Sequence, residues 1–371
     1  MFELFDPLDP LDPLDSFDLF DPSDRQGVSM SSARTPHAEP EAAAHRAHAG
    51  PVNLPPRRIA ALVAGALVVI QAGMLVLFAW PNARLHPRDV PISVSGPPPA
   101  VAQIVEGLRR ADPGAFKVHV AEDEAAARDR VLDRKDYGAL VVGPEGPRVL
   151  VASGASVPVA QLLEQVAAGA NGGRPVPVDD LVPPASGDPR GTGLNSGMLP
   201  LVLTGMFSGI LLTLLVSQVR WRVVAAAAFS LVGGVCATGL MQGWVEAIRG
   251  PFALNAAVLA AMMFAIGVTI IGFAAVFGRP GMAVGAVLMF LVGNPLSGVA
   301  AGPQMLPQPW GAFGQFLPPG AGGSLLRSTA FFDGQGAARP LAVLLGWMVL
   351  AAGLIAAAAL LDRRTRPAAS P

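Results

Sequence analysis

"MLPLVLTGMFSGILLTLLVSQVRWRVVAAAAFSLVGGVCATGLMQGWV", residues 198–245, decides the fold. It holds two apolar runs, Met198–Val219 and Val223–Val245. Each is long enough for a helix that crosses a bilayer, which needs roughly 20 apolar residues. Only Arg220, Trp221 and Arg222 lie between them, so the connection is a tight turn. Arginine beside a span marks the cytoplasmic side.

Outward from this hairpin, Ile59–Trp80, Ala253–Phe277 and Leu341–Leu361 read as further spans. Met282–Ala301 reads as a less regular one, because its apolar part ends near Val292 and Gly293, Asn294 and Pro295 follow. About twelve helical residues rise only about 18 Å. That segment therefore continues as a broken helix or dips and returns. With six spans, Arg57, Arg58, Arg220, Arg222, Arg279, Arg363 and Arg364 all fall on one side and act as topology anchors. The expected layout is a mainly α plasma-membrane protein, six transmembrane helices with both termini cytoplasmic. An extracytoplasmic α/β domain is inserted between helices one and two. The first apolar run is too long for the core of a cleaved signal peptide, and Trp80-Pro81 replaces the small residues of a cleavage site.

Composition agrees. The 371 residues are 52% hydrophobic and 14% charged, against about 25% charged in a soluble domain. From Gly197 to Arg339 the only Asp, Glu, Lys, Arg or His side chains are Arg220, Arg222, Glu246, Arg249, Arg279, Arg327, Asp333 and Arg339. Cys236 is the one cysteine, so no disulfide forms within the chain and redox compartment cannot be read.

Residues 81–196 carry the pattern of a small α/β domain and a hinge. "PISVSG" (91–96), "FKVHV" (116–120), "YGALVVG" (137–143) and "RVLVAS" (148–153) read as strands, the last two joined by a "PEGP" turn. Residues 100–111, 122–134 and 157–170 read as helices. "GDPRGTGLNSG" (187–197) reads as a flexible connector, and Asp179-Asp180 as a solvated turn. After the fifth span, 299–339 reads as an outer re-entrant or interfacial segment, with Trp310, Phe313, Phe316, Phe331 and Phe332 suited to the headgroup zone.

Catalytic signatures are missing. All five histidines precede residue 120, which excludes zinc and Ser-His proteases within the later spans. His45 and His48 read as part of a solvated tail. No GxxxxGK[ST] occurs, and spans two to five carry no mid-membrane charge of the kind ion-coupled pumps use. The chain is not expected to be an enzyme or to hold a cofactor or metal, and nucleic acid is not an expected partner. GxxxG spacings at Gly205 and Gly209, Gly239 and Gly243, and Gly281 and Gly285 are read as helix packing, within the bundle or between subunits. "GNPLSG" (293–298), with Asn294, Pro295 and Ser297, is either part of a substrate path or a fixed kink.

Three stretches carry a resemblance: "DYGALVV" (136–142), "DPRGTGLNSGMLPLVL" (188–203) and "GNPLSGVAAGPQMLPQPWGAFGQFLPPGAGGSLLRSTAFFDG" (293–334). Over roughly residues 55–366 the chain resembles the type-2 ABC transporter permease group, in its YhgE/Pip-like (phage infection protein-like) branch of actinobacteria. The resemblance implies a permease-type component of an export or cell-envelope system, driven by a separate ATPase subunit, as a possible homo- or hetero-oligomer. The turns on the arginine side are short, and so is "PRRIAA" (56–61), where the group carries a coupling helix. The alternative is a non-transporting envelope protein whose outer domain binds a ligand, a phage or a protein.

Residues 1–56 read as a disordered cytoplasmic tail, and 362–371 as a second tail. "FDPLDPLDPLDSFDLFDPSD" (5–24) repeats aspartate every third residue, which matches polyproline II. The favoured reading is an upstream extension with the start at Met30 rather than Met1. Without residues 1–29, eight acids and one arginine are lost and net charge moves from −1 to +6.

Overall fold

The computed structural model describes residues 55–365. The acidic repeat, Met30, His37, His45 and His48 lie outside the described residues. Arg363 and Arg364 fall in the last turn of the final helix.

Five helices are long and apolar enough to cross a membrane, and the chain is a multi-pass membrane protein on that ground. They are α1 (Pro56–Ala83), α5 (Thr192–Leu215), α6 (Val219–Gly243), the helix that begins as α7 (Phe252–Ala286), and α10 (Ala338–Thr365). The α7 helix lies at the centre. It packs against α5, α6 and α10, and Leu259, Met262, Ile266 and Ile270 on it are fully buried.

Helix α7 is not straight. Gly278 has φ 65° and ψ −144°, a conformation open to glycine, and Arg279 and Pro280 follow. The chain reverses there. A Cβ on Gly281 would run into the Phe273 carbonyl, and one on Gly285 would lie 3.2 Å from Ile270 Cα. Residues after Gly278 thus fold back antiparallel along those before it. The returning arm ends in a π-helical stretch, Val287–Val292, and turns away at Gly293.

The segment 299–339 is more ordered than an interfacial strap. It forms a 3-10 turn (Pro303–Met305), a short helix α8 (Trp310–Gly314) and α9 (Pro318–Phe331). Twelve of the 14 residues of α9 are buried, against α7 and α10. Trp310, Phe313 and Phe316 are exposed. Phe332 departs from the headgroup expectation: it is buried, with Phe331 packed beside it.

Residues 90–180 build a five-stranded sheet of order β2-β1-β3-β4-β5. The strands are β1 (Val90–Ser95), β2 (Phe116–Val120), β3 (Gly138–Gly143), β4 (Gly146–Val151) and β5 (Val178–Asp180). Pairing is parallel except for the β3–β4 hairpin. Alternation divides the side chains between two faces. Val90, Ile92, Val94, Val149 and Val151 meet α2 (Pro98–Ala111) and α4 (Val157–Ala170). Ala139, Val141 and Leu150 meet α3 (Glu124–Leu132). The Asp179-Asp180 pair is in strand β5, not in a free turn: Asp179 accepts from Arg128 at 2.5 Å, and Asp180 accepts from Ser153.

Each face of this module is completed by residues from the segment 299–339. Ala301 and Met305 join the α2/α4 core, and Phe331 and Phe332 join the α3 core. The link into α5, expected to be a flexible hinge, is pinned. Asp188 is buried and accepts from Leu194 N at 3.0 Å and Thr192 Oγ1 at 3.2 Å, which satisfies donors at the start of the helix.

The glycines expected at helix contacts divide. A Cβ on Gly205 would lie 3.1 Å from Met263 O, and one on Gly209 would lie 2.7 Å from Gly267 O. Gly239 and Gly243 have nothing within 4 Å, so they make no close helix contact within the chain. The close approach of α6 to α7 falls instead at Gly234, 2.5 Å from Ala256 O by the same measure. Spacing identifies small residues but not the face that meets a neighbour. Gly209→Ala should therefore cost about 1–3 kcal/mol by overpacking. Gly239→Ala should gain roughly 0.5–1 kcal/mol, because alanine replaces glycine in an open helix interior. Thermal unfolding of the two full-length variants in detergent distinguishes these opposite shifts.

Candidate functional site

The structure assembles polar groups in two places near the start of β3. The first is a buried carboxylate, Asp136, at the entry to that strand. Its side chain has no exposed area. Ser93 Oγ donates to Oδ2 at 2.5 Å and Arg130 Nε donates to Oδ2 at 2.6 Å. His119 Nδ1 lies 2.8 Å from Oδ1. Three elements, β1, β2 and the end of α3, converge on one charge. The Asp136 hydrogen bond raises the Arg130 pKa above the usual arginine value, against the opposing effect of burial. This arrangement is not a nucleophile triad: the serine hydrogen-bonds to the carboxylate, and the carboxylate is already saturated. Its work is to lock α3 onto the sheet.

The second place is the junction between the module and the helices. Arg134, just past α3, has φ 61° and points away from the sheet. Its Nη1 donates to Ser324 O and to Ser328 Oγ, both at 2.8 Å. Its guanidinium lies 5.6 Å from the centre of the Phe332 ring. Tyr137 OH donates to Gln304 Oε1 at 2.7 Å, and Ser156 Oγ donates to Ala301 O at 2.8 Å. Arg327, buried in α9, donates to Val299 O. Arg249 and Arg339 lie over Phe331 and Phe316 at 5.5 and 5.2 Å.

None of Arg134, Arg249, Arg327 and Arg339 pairs with a carboxylate among the described residues. Burial pushes the Arg327 pKa down to about 10, with Arg134 adding to the shift. Burial also lowers Arg134 and raises the Tyr137 phenol, which the two guanidiniums partly offset. Arg327 remains a cation at neutral pH. A cavity of about 270 Å³ opens at this junction, lined by Arg134, Lys135, Asp136, Gln304, Ser324 and Arg339 among others.

The residues singled out from sequence lie elsewhere. Ser297 Oγ donates to Asn294 O, and Gln315 Nε2 donates to Ser297 O, both at 2.7 Å. A Cβ on Gly293 would sit 2.6 Å from Met289 O. Asn294, Pro295 and Ser297 thus form a packed reversal, and they do not line the junction cavity. Arg222 Nε donates to Val216 O at 2.6 Å and so caps the end of α5, while Arg220 stacks on Trp221. Arg57, Arg58 and Arg279 are exposed at turns or helix starts. Among the described residues, no group of three or more His, Cys, Asp or Glu is placed to hold a metal.

Asp136, Arg130, Arg134 and Arg327 were not singled out from sequence. A signal existed for Arg327, a lone cation in the run "GAGGSLLRSTAFF", because a charge in apolar surroundings is retained for a reason. Asp136 begins "DYGALVV", quoted above only for its resemblance.

No protein-family model matches this chain, and no curated protein or solved structure matches it.

Asp136→Asn should destabilise the protein by roughly 2 kcal/mol or more, because Arg130 loses its charge partner. Ser93→Ala should cost about 1 kcal/mol, the worth of one hydrogen bond. Denaturant unfolding of the full chain, followed by a probe on the module, measures both.

Proposed function

We propose that the chain is a permease-type membrane component of an export or cell-envelope system, with six spans and the module outside the cell. One observation carries this reading: the reversal at Gly278. It divides the longest apolar helix into two antiparallel arms and sets Arg279 at the turn. The turn lies at the end of α7 away from α9: Gly250, just before α7, contacts Thr329 and Ala330 of α9, and Gly322 of α9 contacts Met262 of α7. Arg220 and Arg222, between α5 and α6, lie at the Gly278 end as well, since α5 and α7 contact from Gly205–Met263 to Gly209–Gly267 in parallel. The arginine turns are thus at the far end from the module. The positive-inside rule then makes that end cytoplasmic.

Transport is driven by a separate ATPase subunit, and the chain itself carries no cofactor and performs no catalysis. The chain works as an oligomer. Support comes from α1, where Pro81 is the only buried residue. Its apolar surface is available to lipid and to a second subunit.

One observation favours the non-transporting alternative, in which the module binds a ligand or protein. A cleft of about 550 Å³ lies beyond the carboxyl ends of β1 and β2, bordered by Gly96, Val101, Val105, Val120 and Glu122. In open α/β sheets that is where ligands bind.

Cysteine labelling tests the topology. In a Cys236→Ala background, Ala125→Cys should react with an impermeant maleimide on intact cells, and Arg279→Cys only after permeabilisation. The reverse pattern would overturn the orientation. Co-purification of an ATPase with the full chain supports the permease reading. Its absence, together with a phenotype lost when the cleft residues Val101, Val105 and Val120 are replaced, favours the binding protein.

A further inference from the structure

The junction cavity has an unbalanced wall. Four charged residues border it: Arg134, Lys135, Asp136 and Arg339. Asp136 is spent on Ser93, His119 and Arg130. Lys135 is answered by Asp133 at 2.8 Å. Among the described residues, Arg134 meets only neutral acceptors and a ring, and Arg339 meets only the Phe316 ring. Two cations therefore face one cavity without a counter-charge. Arg134 is half-buried, and a partly desolvated cation is expensive unless paired; Arg339 is exposed at the mouth of the cavity. Neutral donors stand beside them. Gln304 uses its side-chain carbonyl for Tyr137 OH, and its amide N–H groups have no partner among the described residues.

A second observation concerns position. Arg339 and Pro340 belong to the first turn of α10, one of the apolar helices able to cross a bilayer. Phe316, beneath Arg339, is 53% exposed, and Trp310 and Phe313 on the same segment are also exposed. The cavity therefore opens where a charged wall meets an apolar rim. That combination fits an amphiphile, with its charged group among arginines and its chain along the aromatic rim.

We propose that this cavity binds the phosphate group of an anionic amphiphile at the membrane surface, with Arg134 and Arg339 as its two cationic contacts and Gln304 as a neutral donor. The site differs from the path and the cleft considered above, and it requires neither transport nor an ATPase. Occupancy ties the module to the start of α10, because Arg134 comes from one and Arg339 from the other.

The test uses the purified full chain in neutral detergent, read by native mass spectrometry and by thermal unfolding. Phosphatidylglycerol, phosphatidylcholine and inorganic phosphate are the probes. Phosphatidylglycerol should bind about ten-fold or more tighter than phosphatidylcholine, the worth of one charge-assisted hydrogen bond. Arg339→Gln should remove that preference while the unliganded protein unfolds at an unchanged temperature, and Arg339→Lys should retain part of it. Arg148→Gln, on the module surface, should leave it intact. If inorganic phosphate binds saturably and is lost in Arg339→Gln, the site stands and its anion also comes from solution. If phosphate fails to compete and phosphatidylglycerol binds, the site stands as a lipid site. Equal binding of the two lipids without saturable phosphate binding, or a preference that survives Arg339→Gln, overturns the proposal. Either result leaves the topology and the permease reading untouched.

Discussion

The structure depends on a shared core. The sheet of residues 90–180 does not close its own two faces. Ala301 and Met305 finish one, and Phe331 and Phe332 finish the other. These residues belong to the segment that continues into α9, itself buried against α7 and α10. Module and helix bundle are therefore one packed body and not two domains on a linker. Burial of a large apolar side chain is worth roughly 1.5–3 kcal/mol, so separating the module would expose several such contributions at once. The buried Asp188 at the start of α5 fixes the same junction from the other side.

Electrostatics at the junction follow a different rule from the rest of the module. Asp136 is matched fully by Arg130, Ser93 and His119. The arginines that reach toward α9 are satisfied by carbonyls, hydroxyls and aromatic faces instead. Guanidinium suits this role, since it stays charged, donates in several directions and stacks on rings. The cost appears as lowered pKa values for Arg134 and Arg327. A region that tolerates uncompensated positive charge is well prepared for a negative ligand.

The long apolar elements were legible because their signal is local. A run such as Val223–Val245 declares a spanning helix by length alone, and "FKVHV" declares a strand by alternation. Strand β5 was not legible. It is three residues long between prolines, and it exists because β4 offers it an edge. The same limit governed the glycines: Gly239 and Gly209 look alike in sequence, and only the neighbouring helix distinguishes them. The site was hidden for the strongest version of this reason. Arg134 finds its partners in Ser324 and Ser328, far along the chain, and no periodicity reports such a meeting. Phe332 was assigned to the headgroups on residue type, whereas tertiary packing draws it into the module.

The divided core also sets an order of assembly. As the chain is synthesised from its amino end, the strands emerge well before residues 301–332. Until those residues arrive, the sheet has two unfinished faces and must wait, half-built, while the later helices enter the lipid. A segment made late thereby completes a domain that appeared early, and the middle of this protein is finished only near the end of its synthesis.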